Sequence, residues 1–306
     1  MMGTGYFAPS GFEEQLKSEL KSVTKQYGQL ILTDGPPQKT YWAQNIWFDP
    51  QILPFKSISD AAKQLRSRQK LWSFYPYALP SKGKLITEQL AFFSPKPLPF
   101  PSPLPAAPLG SWMLLDERTI LAAPVCSSPF AQGGIHFQES KAPPSRAYLK
   151  LWETFIRIGK MPKANETCLE IGASPGSWTW VLQQTGAKTY AVDRALLDPA
   201  IASLPNISFQ KGDAFQLGPS DFPKLDWIFS DVVCYPEKLL EWIHKWPLPE
   251  INFVCTIKFQ GSDGYAILPE FEKIEGSQIF HLFHNKHELT WVKLKEGTFL
   301  PQSFPT

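Results

Sequence analysis

The sequence predicts an α/β protein, with a doubly wound, mostly parallel sheet in its second half and a smaller α+β part in front of it. Two observations support this fold class. From residue 145 onward, short apolar segments alternate with helical ones, which is typical of parallel strands covered on both faces. Before about residue 80, strands and helices follow the order β-α-β-β-α-β of a ferredoxin-like fold. With 306 residues, the chain is long enough for two domains.

The elements of the ferredoxin-like part follow from apolar spacing and turn residues. Apolar side chains recur at helical intervals over residues 11–25, and an Asp-Gly-Pro-Pro turn at residues 34–37 separates two strands. Ser59 is the expected N-cap of a second helix that ends near Lys70. The expected strands cover residues 5–8, 29–33, 41–48 and 71–77.

Basic residues are concentrated in one stretch of the first half. Residues 1–150 carry 16 Lys and Arg against 10 Asp and Glu, whereas residues 151–306 carry 14 against 18. Seven basic residues lie from Lys56 to Lys84, with aromatic residues at 72–77. Cations and rings together suit RNA, whose phosphates and bases they bind. The alternative is a solvated helix face followed by a core strand. The expected RNA contacts here are Lys63, Arg66, Arg68 and Lys70.

The segment between residues 91 and 140 differs in composition from the rest of the chain, because it is rich in proline. Seven of the fourteen residues at 95–108 are proline, which excludes a helix or a central strand and predicts a semi-rigid spacer. A hairpin is expected over residues 111–125. We therefore divide the chain into an α+β RNA-binding domain at 1–90, a linker with a hairpin at 91–140, and an α/β domain at 141–306.

A glycine turn follows the first strand of the α/β domain. Residues 170–178 read EIGASPGSW, and Gly172 and Gly176 let the backbone approach a ligand where a strand turns into a helix. Asp193 ends the next strand, where a ribose-binding acid is expected, and Asp213 follows the third. Together they predict a nucleoside site. The expected strands cover 167–171, 188–192, 207–210, 225–230 and 251–257, after a helix capped by Ser145.

Several ligand classes compete for this turn. The dinucleotide fingerprint G-x-G-x-x-G and the phosphate loop G-x-x-x-x-G-K-[ST] are both absent from the sequence. The hydrolase pattern G-x-S-x-G is formally present, but the residue after the serine must donate its backbone N–H, and Pro175 has none. S-adenosylmethionine has a ribose and no pyrophosphate, and it fits the remaining pattern.

Two charged residues end neighbouring apolar strands. Asp231 follows residues 226–230, and Lys258 follows the apolar run at 251–257. Lysine is costly to bury without a partner, so a Lys–Asp pair facing the crevice is expected. The alternative is a surface ion pair at the rim of the sheet.

These residues belong to a pattern that resembles the FtsJ (RrmJ) family of S-adenosylmethionine-dependent ribose 2′-O-methyltransferases over residues 143–293. Residues 145–151 (SRAYLKL) resemble its S-R-x-x-x-K-L helix, and the glycine turn resembles its D-L-G-A-x-P-G-G-W motif. Residues 258–261 (KFQG) resemble K-x-F-x-G, and residues 285–289 (NKHEL) the segment that supplies a glutamate. The resemblance implies a Rossmann-like methyltransferase domain with a catalytic tetrad of Lys150, Asp231, Lys258 and Glu288.

The resemblance also implies roles for the site residues. Lys258 is expected to accept the proton of the attacking hydroxyl, Asp231 to orient it, and Glu288 to hold Lys150. Arg146 is expected to contact RNA. The cofactor contacts expected from the turn and the strand ends are Glu170, Gly172, Ser174, Pro175, Gly176, Trp178, Asp193, Asp213 and Asp231.

Three segments narrow the resemblance to the RlmM branch, which methylates a cytidine ribose in bacterial large-subunit ribosomal RNA. They are residues 8–13 (APSGFE), residues 130–146 and residues 231–238 (DVVCYPEK). That branch carries a ferredoxin-like domain and an RNA-binding THUMP domain before the enzyme. Here the THUMP region is expected to be shortened to the proline spacer and one hairpin.

The predicted function is methyl transfer from S-adenosylmethionine to a ribose 2′-hydroxyl of RNA, in ribosomal RNA of the large subunit. A non-catalytic RNA-binding or assembly protein with a methyltransferase fold, and a methyltransferase for another RNA, are the alternatives. We expect a cytoplasmic protein with reduced cysteines and no membrane span, because no apolar run approaches ~20 residues and the cysteines form no C-x-x-C pair. No metal site is expected from His281, His284 and His287. The sequence leaves the oligomeric state open.

Overall fold

A computed structural model describes residues 3–93, 96–261 and 264–297. These residues form two compact units, one up to Gln138 and one from Glu139 onward. Pro95 of the predicted spacer lies outside the described residues. No helix in the described ranges has the length and apolar character needed to cross a membrane.

The first unit contains nine strands and three α-helices among its described residues. They are β1 Gly3–Phe7, α1 Glu13–Glu19, β2 Val23–Tyr27, β3 Leu30–Asp34, β4 Asn45–Phe48, β5 Gln51–Pro54, α2 Ile58–Arg66, β6 Trp72–Phe74, α3 Pro80–Thr87, β7 Gly110–Asp116, β8 Thr119–Ala123 and β9 Val125–Cys126. The strands form a five-stranded sheet of order β2-β3-β1-β4-β9 and a four-stranded sheet of order β5-β8-β7-β6.

The predicted β-α-β-β-α-β elements are divided between these two sheets. The first three predicted strands correspond to β1, β3 and β4 of the five-stranded sheet. The last predicted strand corresponds to β6 of the four-stranded sheet, against which α2 packs. The helix predicted over residues 11–25 is too long, because α1 ends at Glu19 and Val23 begins β2. Ser22 turns the chain at a φ of 56°, and the residues that follow are β-branched, which favours a strand.

Both faces of the four-stranded sheet are buried. On one face, Trp112 and Leu114 of β7 pack with α2 and α3, and on the other Met113 packs with Phe7 and Trp47 of the five-stranded sheet. The predicted hairpin over residues 111–125 is therefore a central part of the first unit. The proline-rich segment is anchored as well, because Leu98 exchanges backbone hydrogen bonds with residues 136 and 138.

The second unit is a seven-stranded sheet with helices between most of its strands. Its elements are α4 Tyr148–Ile158, β10 Thr167–Ile171, α5 Ser177–Gln184, β11 Lys188–Asp193, α6 Pro199–Ala202, β12 Ile207–Lys211, β13 Trp227–Ser230, α7 Pro236–Ile243, β14 Asn252–Lys258, α8 Leu268–Glu272, β15 Ser277–Phe280 and β16 Glu288–Lys293. The strand order is β12-β11-β10-β13-β14-β16-β15, in which β16 is antiparallel to β14 and β15. This is the predicted doubly wound, Rossmann-like arrangement.

The burial pattern explains why these strands read as continuous apolar runs. Every residue of β13 is buried, and so are the first six of β14, so both faces of the sheet are covered. The helix expected to begin after Ser145 begins instead at Tyr148. The Ser145 side chain lies 2.7 Å from the hydroxyl of Ser177, at the start of α5, which joins the approach to α4 to the glycine turn.

The N-cap of α2 provides a test of the first unit. The structure places Ser57 rather than the predicted Ser59 at this position, and the Ser57 hydroxyl accepts a hydrogen bond from the Asp60 backbone N–H at 3.2 Å. Ser57→Ala should lower the free energy of unfolding by about 1 kcal/mol, because an orphan helix donor loses its acceptor. Ser59→Ala should change it by less than about 0.5 kcal/mol. Urea denaturation compares the two, and equal effects would contradict this cap.

Candidate active site

The carboxyl ends of β10, β11, β13 and β14 meet at one edge of the second sheet. The chain moves outward from β10 to β11 and β12, and then returns to add β13 on the other side of β10. Such a reversal of strand order opens a crevice between the two directions, and ligands of doubly wound sheets bind there. The residues predicted to form the site come from the loops at this edge.

The glycine turn between β10 and α5 is tightly constrained. Gly172 has a φ of 72°, and a Cβ at this position would lie 2.6 Å from the Cα of Val232, so no other residue fits without moving the loop after β13. The Ser174 backbone N–H donates to Asp193 Oδ2 at 2.9 Å, and the Ala195 N–H donates to Oδ1 at 2.8 Å. Asp193 therefore fixes the turn to the end of β11.

A cleft of about 340 Å³ lies beside this turn. Its volume is within the range of small-molecule sites. Three of the predicted cofactor residues line it, namely Gly172, Asp193 and Asp213. The other lining residues come from the ends of the same strands and the loops after them: Val192, Arg194, Gly212, Ala214, Phe215, Val232, Val233, Cys234, Tyr235, Lys238 and Gln260.

The remaining predicted cofactor residues lie around the cleft rather than along it. Ser174, Pro175 and Gly176 form the turn itself, and Asp231 directly precedes the lining residue Val232. Glu170 is buried and accepts a hydrogen bond from the Thr179 hydroxyl at 2.6 Å, so its carboxyl faces α5. Burial raises the pKa of Glu170 to about 8. Its position is that of a supporting residue beneath the turn.

Asp213 is held in its charged form at the edge of the cleft. The Arg194 guanidinium donates to one carboxylate oxygen at 2.5 Å, and the Phe215 backbone N–H donates to the other at 3.1 Å. These hydrogen bonds lower the pKa of Asp213. The two acids at this end of the cleft, Asp193 and Asp213, both have acceptor oxygens oriented by the backbone.

Four charged side chains from distant parts of the sequence form one cluster near the cleft. Lys150 Nζ lies 2.7 Å from both carboxylate oxygens of Asp231 and 3.1 Å from Glu288 Oε1. Lys258 Nζ lies 3.0 Å from Asp231 Oδ1, and Lys258 pairs with Glu288 in the register of β14 and β16. The cluster contains all four members of the predicted tetrad.

The two carboxylates of the cluster compensate for the burial of the Lys150 ammonium group. Only 9 % of the Lys150 side chain is exposed, and this burial alone would lower its pKa. The carboxylates of Asp231 and Glu288 outweigh the burial and raise the pKa of Lys150, so this lysine stays charged. Burial would likewise raise the pKa of Asp231, but Lys150 and Lys258 together lower it. Trp178 lies over Lys150, with the ring centroid 5.8 Å from Nζ.

Glu153, which no sequence motif described above includes, is fully buried on α4 one turn after Lys150. Its Oε1 accepts hydrogen bonds from Arg157 at 2.9 Å and from the Phe283 N–H at 2.9 Å. Its Oε2 accepts the His284 N–H at 3.1 Å and lies 2.8 Å from His284 Nδ1. Burial opposes the charge, but Arg157 and His284 outweigh it and lower the pKa of Glu153. A glutamate inside an apolar helix face, four residues before an arginine, is the signal that could have revealed it.

Glu153 positions the segment that leads to the tetrad. It ties residues 283–284 to α4, which carries Lys150, and Glu288 follows four residues later at the start of β16. The other two histidines near this segment also have protein partners. His281 Nε2 lies 3.1 Å from the Lys286 carbonyl, and His287 Nε2 lies 2.6 Å from the Tyr265 hydroxyl. Within the described ranges, no three metal-binding side chains come together.

The predicted RNA-binding residues occupy exposed positions in their own units. Lys63, Arg66, Arg68 and Lys70 are exposed in and after α2, but Arg66 donates to the Gln89 carbonyl at 2.6 Å and Arg68 to the Gln64 carbonyl at 2.8 Å. Trp72 beside them is buried, and its indole N–H donates to backbone carbonyls, so it is a core residue. In the second unit, exposed Arg146 forms a salt bridge with Glu139 at 2.7 Å.

The close approach of Gly172 to the loop after β13 predicts a strong effect of an added methyl group. Gly172→Ala should lower the free energy of unfolding by about 1–3 kcal/mol from backbone strain, with a further loss from overlap with Val232. Gly212→Ala is the matched control, because it also lines the cleft but a Cβ there meets no atom within 4 Å. Thermal denaturation of both variants is the measurement, and similar melting temperatures would contradict the described turn.

The buried Glu170 carboxyl predicts a pH dependence of stability. The folded protein keeps this proton up to about pH 8, whereas the unfolded chain releases it near 4.5. The contribution of Glu170 to the free energy of unfolding therefore decreases as the pH rises between these values. Glu170→Gln cannot ionise, so the variant should gain stability relative to the wild type from pH 5 to pH 8. Urea denaturation at several pH values tests this, and parallel profiles would refute the buried proton.

Comparison with known proteins agrees with this geometry. Residues 143–294 match the family model of the FtsJ-like methyltransferases. The ribosomal RNA large subunit methyltransferase M of Halorhodospira halophila is 36 % identical over 106 residues, which are 34 % of this chain and 31 % of the relative. The protein of the same name from Laribacter hongkongensis is 29 % identical over 193 residues, 56 % of this chain and 53 % of the relative. The chain thus spans between a third and about half of these relatives.

Solved structures resemble the chain less closely. The Methanococcus jannaschii fibrillarin pre-rRNA processing protein is 20 % identical, covers 60 % of this chain and 82 % of its own, and has a TM-score of 0.38. This similarity is too low to carry an argument.

The family match covers α4 and the sheet from β10 to β16, together with all four residues of the charged cluster. Residues 143–294, just under half of the chain, therefore match the FtsJ-like methyltransferases as one domain.

Proposed function

We propose that the chain transfers a methyl group from S-adenosylmethionine to a ribose 2′-hydroxyl of RNA, in ribosomal RNA of the large subunit. The observation that carries the proposal is the cluster of Lys150, Asp231, Lys258 and Glu288 beside the cleft of an FtsJ-like domain. Two lysines and two acids held together at a sheet edge are costly to bury, and a purely structural role does not require them.

The volume and the lining residues of the cleft are compatible with S-adenosylmethionine. Gly172 lines the cleft and has no side chain, so a ligand can approach its backbone closely. Asp193 and Asp213 supply carboxylate oxygens for ribose hydroxyls and amino groups. When bound, the cofactor supplies an electrophilic methyl group on a positively charged sulfur. Gly172, Asp193 and Asp213 would hold its nucleoside part, and Asp231 of the charged cluster directly precedes the lining residue Val232.

The charges of the cluster divide the roles of the two lysines. Lys150 is fixed as a cation by Asp231 and Glu288, so it cannot accept a proton, but it can hold the hydroxyl oxygen as negative charge develops. Lys258 contacts one carboxylate, that of Asp231, and the Asp231 backbone carbonyl, whereas Lys150 contacts two carboxylates. In its neutral form, Lys258 is therefore the better candidate to take the hydroxyl proton onto Nζ. Asp231 orients the Lys150 ammonium group and the Lys258 amine. General-base help of this kind contributes about 10²–10⁴ in rate.

The RNA part of the proposal rests on the relatives and on surface charge. Both relatives described above are named as methyltransferases of large-subunit ribosomal RNA. In the first unit, Lys63 and Lys70 are exposed at the end of α2 and after it, where they can contact phosphates. Arg66 and Arg68 can contribute their remaining N–H groups. In the second unit, Arg146 precedes the helix that carries Lys150 and supplies a further cation.

Mapping of ribose methylation tests the proposal directly. RNA from cells that lack the chain should lose one 2′-O-methyl group from large-subunit ribosomal RNA, measured by mass spectrometry, and the wild-type chain should restore it. Lys258→Ala should fail to restore it, because the proton has no acceptor, yet should bind S-adenosylmethionine nearly as tightly as the wild type in calorimetry. Asp193→Ala should instead bind S-adenosylmethionine more weakly than the wild type in calorimetry. An unchanged methylation map, or near-normal turnover by Lys258→Ala, would refute the assignment.

A further inference from the structure

The rim of the cleft carries two apolar side chains that face solvent. Val233 is 76 % exposed and Tyr235 is 62 % exposed, and both belong to the loop between β13 and α7 that lines the cleft. Exposed apolar side chains are common when they are scattered singly, but two of them in one short loop that lines a cleft indicate a binding surface. We call Val233 and Tyr235 the rim pair.

The structure of the loop does not require the Tyr235 ring. Tyr235 is the N-cap residue of α7, its backbone is extended at φ −67° and ψ 143°, and its side chain makes no capping hydrogen bond. Across the three described ranges, no residue donates a hydrogen bond to its hydroxyl or stacks on its ring. The aromatic surface is therefore available to a ligand without any rearrangement of the protein.

The position of the rim pair relative to the charged cluster limits what it can bind. Val233 and Tyr235 follow Asp231 by two and four residues, and Gln260 lines the same cleft two residues after Lys258. Lys238 adds a cation on the first turns of α7, with Nζ 4.3 Å from the ring centroid of Phe215. A nucleotide whose 2′-hydroxyl reaches Asp231 and Lys258 must place its base close to these loops. An aromatic ring, a neighbouring cation and an amide are suited to a base and its phosphate.

We propose that Tyr235, supported by Val233, stacks on the base of the nucleotide that is methylated. The inference rests on the proposed function, since it names the part of the RNA that meets this rim. Stacking on an aromatic ring tolerates all four bases, so Tyr235 would hold the nucleotide in place rather than select its identity. The other ligand that could meet this ring is the adenine of the cofactor, and the experiment separates the two.

The test compares Tyr235→Ala and Tyr235→Phe with the control Met161→Ala. Met161 is also exposed, at 37 %, but it precedes the amino end of β10 at the opposite edge of the sheet. The substrate is ribosomal RNA from cells that lack the chain, with labelled S-adenosylmethionine. Tyr235→Ala should raise KM for the RNA about 5- to 100-fold, as loss of one stacked base predicts. Tyr235→Phe and the control should stay near the wild type, and calorimetry should show the cofactor affinity of all variants within about twofold.

Two results would overturn the proposal. An unchanged KM for RNA in Tyr235→Ala would show that the ring is not used, and a selective loss of cofactor affinity would assign it to adenine. If the wild-type chain methylates no ribosomal RNA, the proposed function itself fails. The rim pair is then tested by fluorescence anisotropy with a labelled 12-nucleotide single-stranded RNA, where Tyr235→Ala must bind more weakly than Met161→Ala for the inference to survive.

Discussion

The buried ammonium group of Lys150 is the constraint on which the rest of the active site depends. A lysine in the interior is tolerated only when opposite charges surround it at hydrogen-bond distance. Asp231 and Glu288 provide them, and they come from the ends of two strands that flank β14. The site therefore forms only when α4, β13 and β16 are all in place, so the fold of the domain and its charged cluster stabilise each other.

The same requirement explains the supporting residues around the cluster. Glu153 lies one turn from Lys150 on α4 and accepts hydrogen bonds both from Arg157 on the same helix and from residues 283–284, in the segment before Glu288. Gly172 brings the first βα turn against the loop that follows Asp231. Trp178 covers Lys150 and donates its indole N–H to the Ala147 carbonyl at the start of α4. Each of these contacts fixes the position of one member of the cluster relative to another.

The sequence was most informative where a local pattern has one physical meaning. Apolar strands, the glycine turn and the acids at strand ends predicted the architecture of the second unit, and Lys258 stood out because a charge ends an apolar run. Glu170 and Trp178 lie in the same motif but face the protein interior, because residues on one turn can point to either side of it. The N-cap of α2 was predicted at Ser59 instead of Ser57, because the two serines lie two residues apart at the start of the same helix and either could cap it by sequence alone. The division of the first unit into two sheets depends on long-range pairing, which spacing along the chain does not reveal.

One feature of the first unit bears on how such chains change in length. β6 and β7 are parallel neighbours, so the chain must cross over between them, and it does so through α3 and the proline-rich residues at 96–108. Those residues are largely exposed and form no strand, whereas the hairpin of β7 and β8 is buried on both faces. Lengthening a loop costs little, about 0.6 kcal/mol for each doubling. Residues can thus be added to or removed from this crossover while every strand of the two sheets keeps its partner.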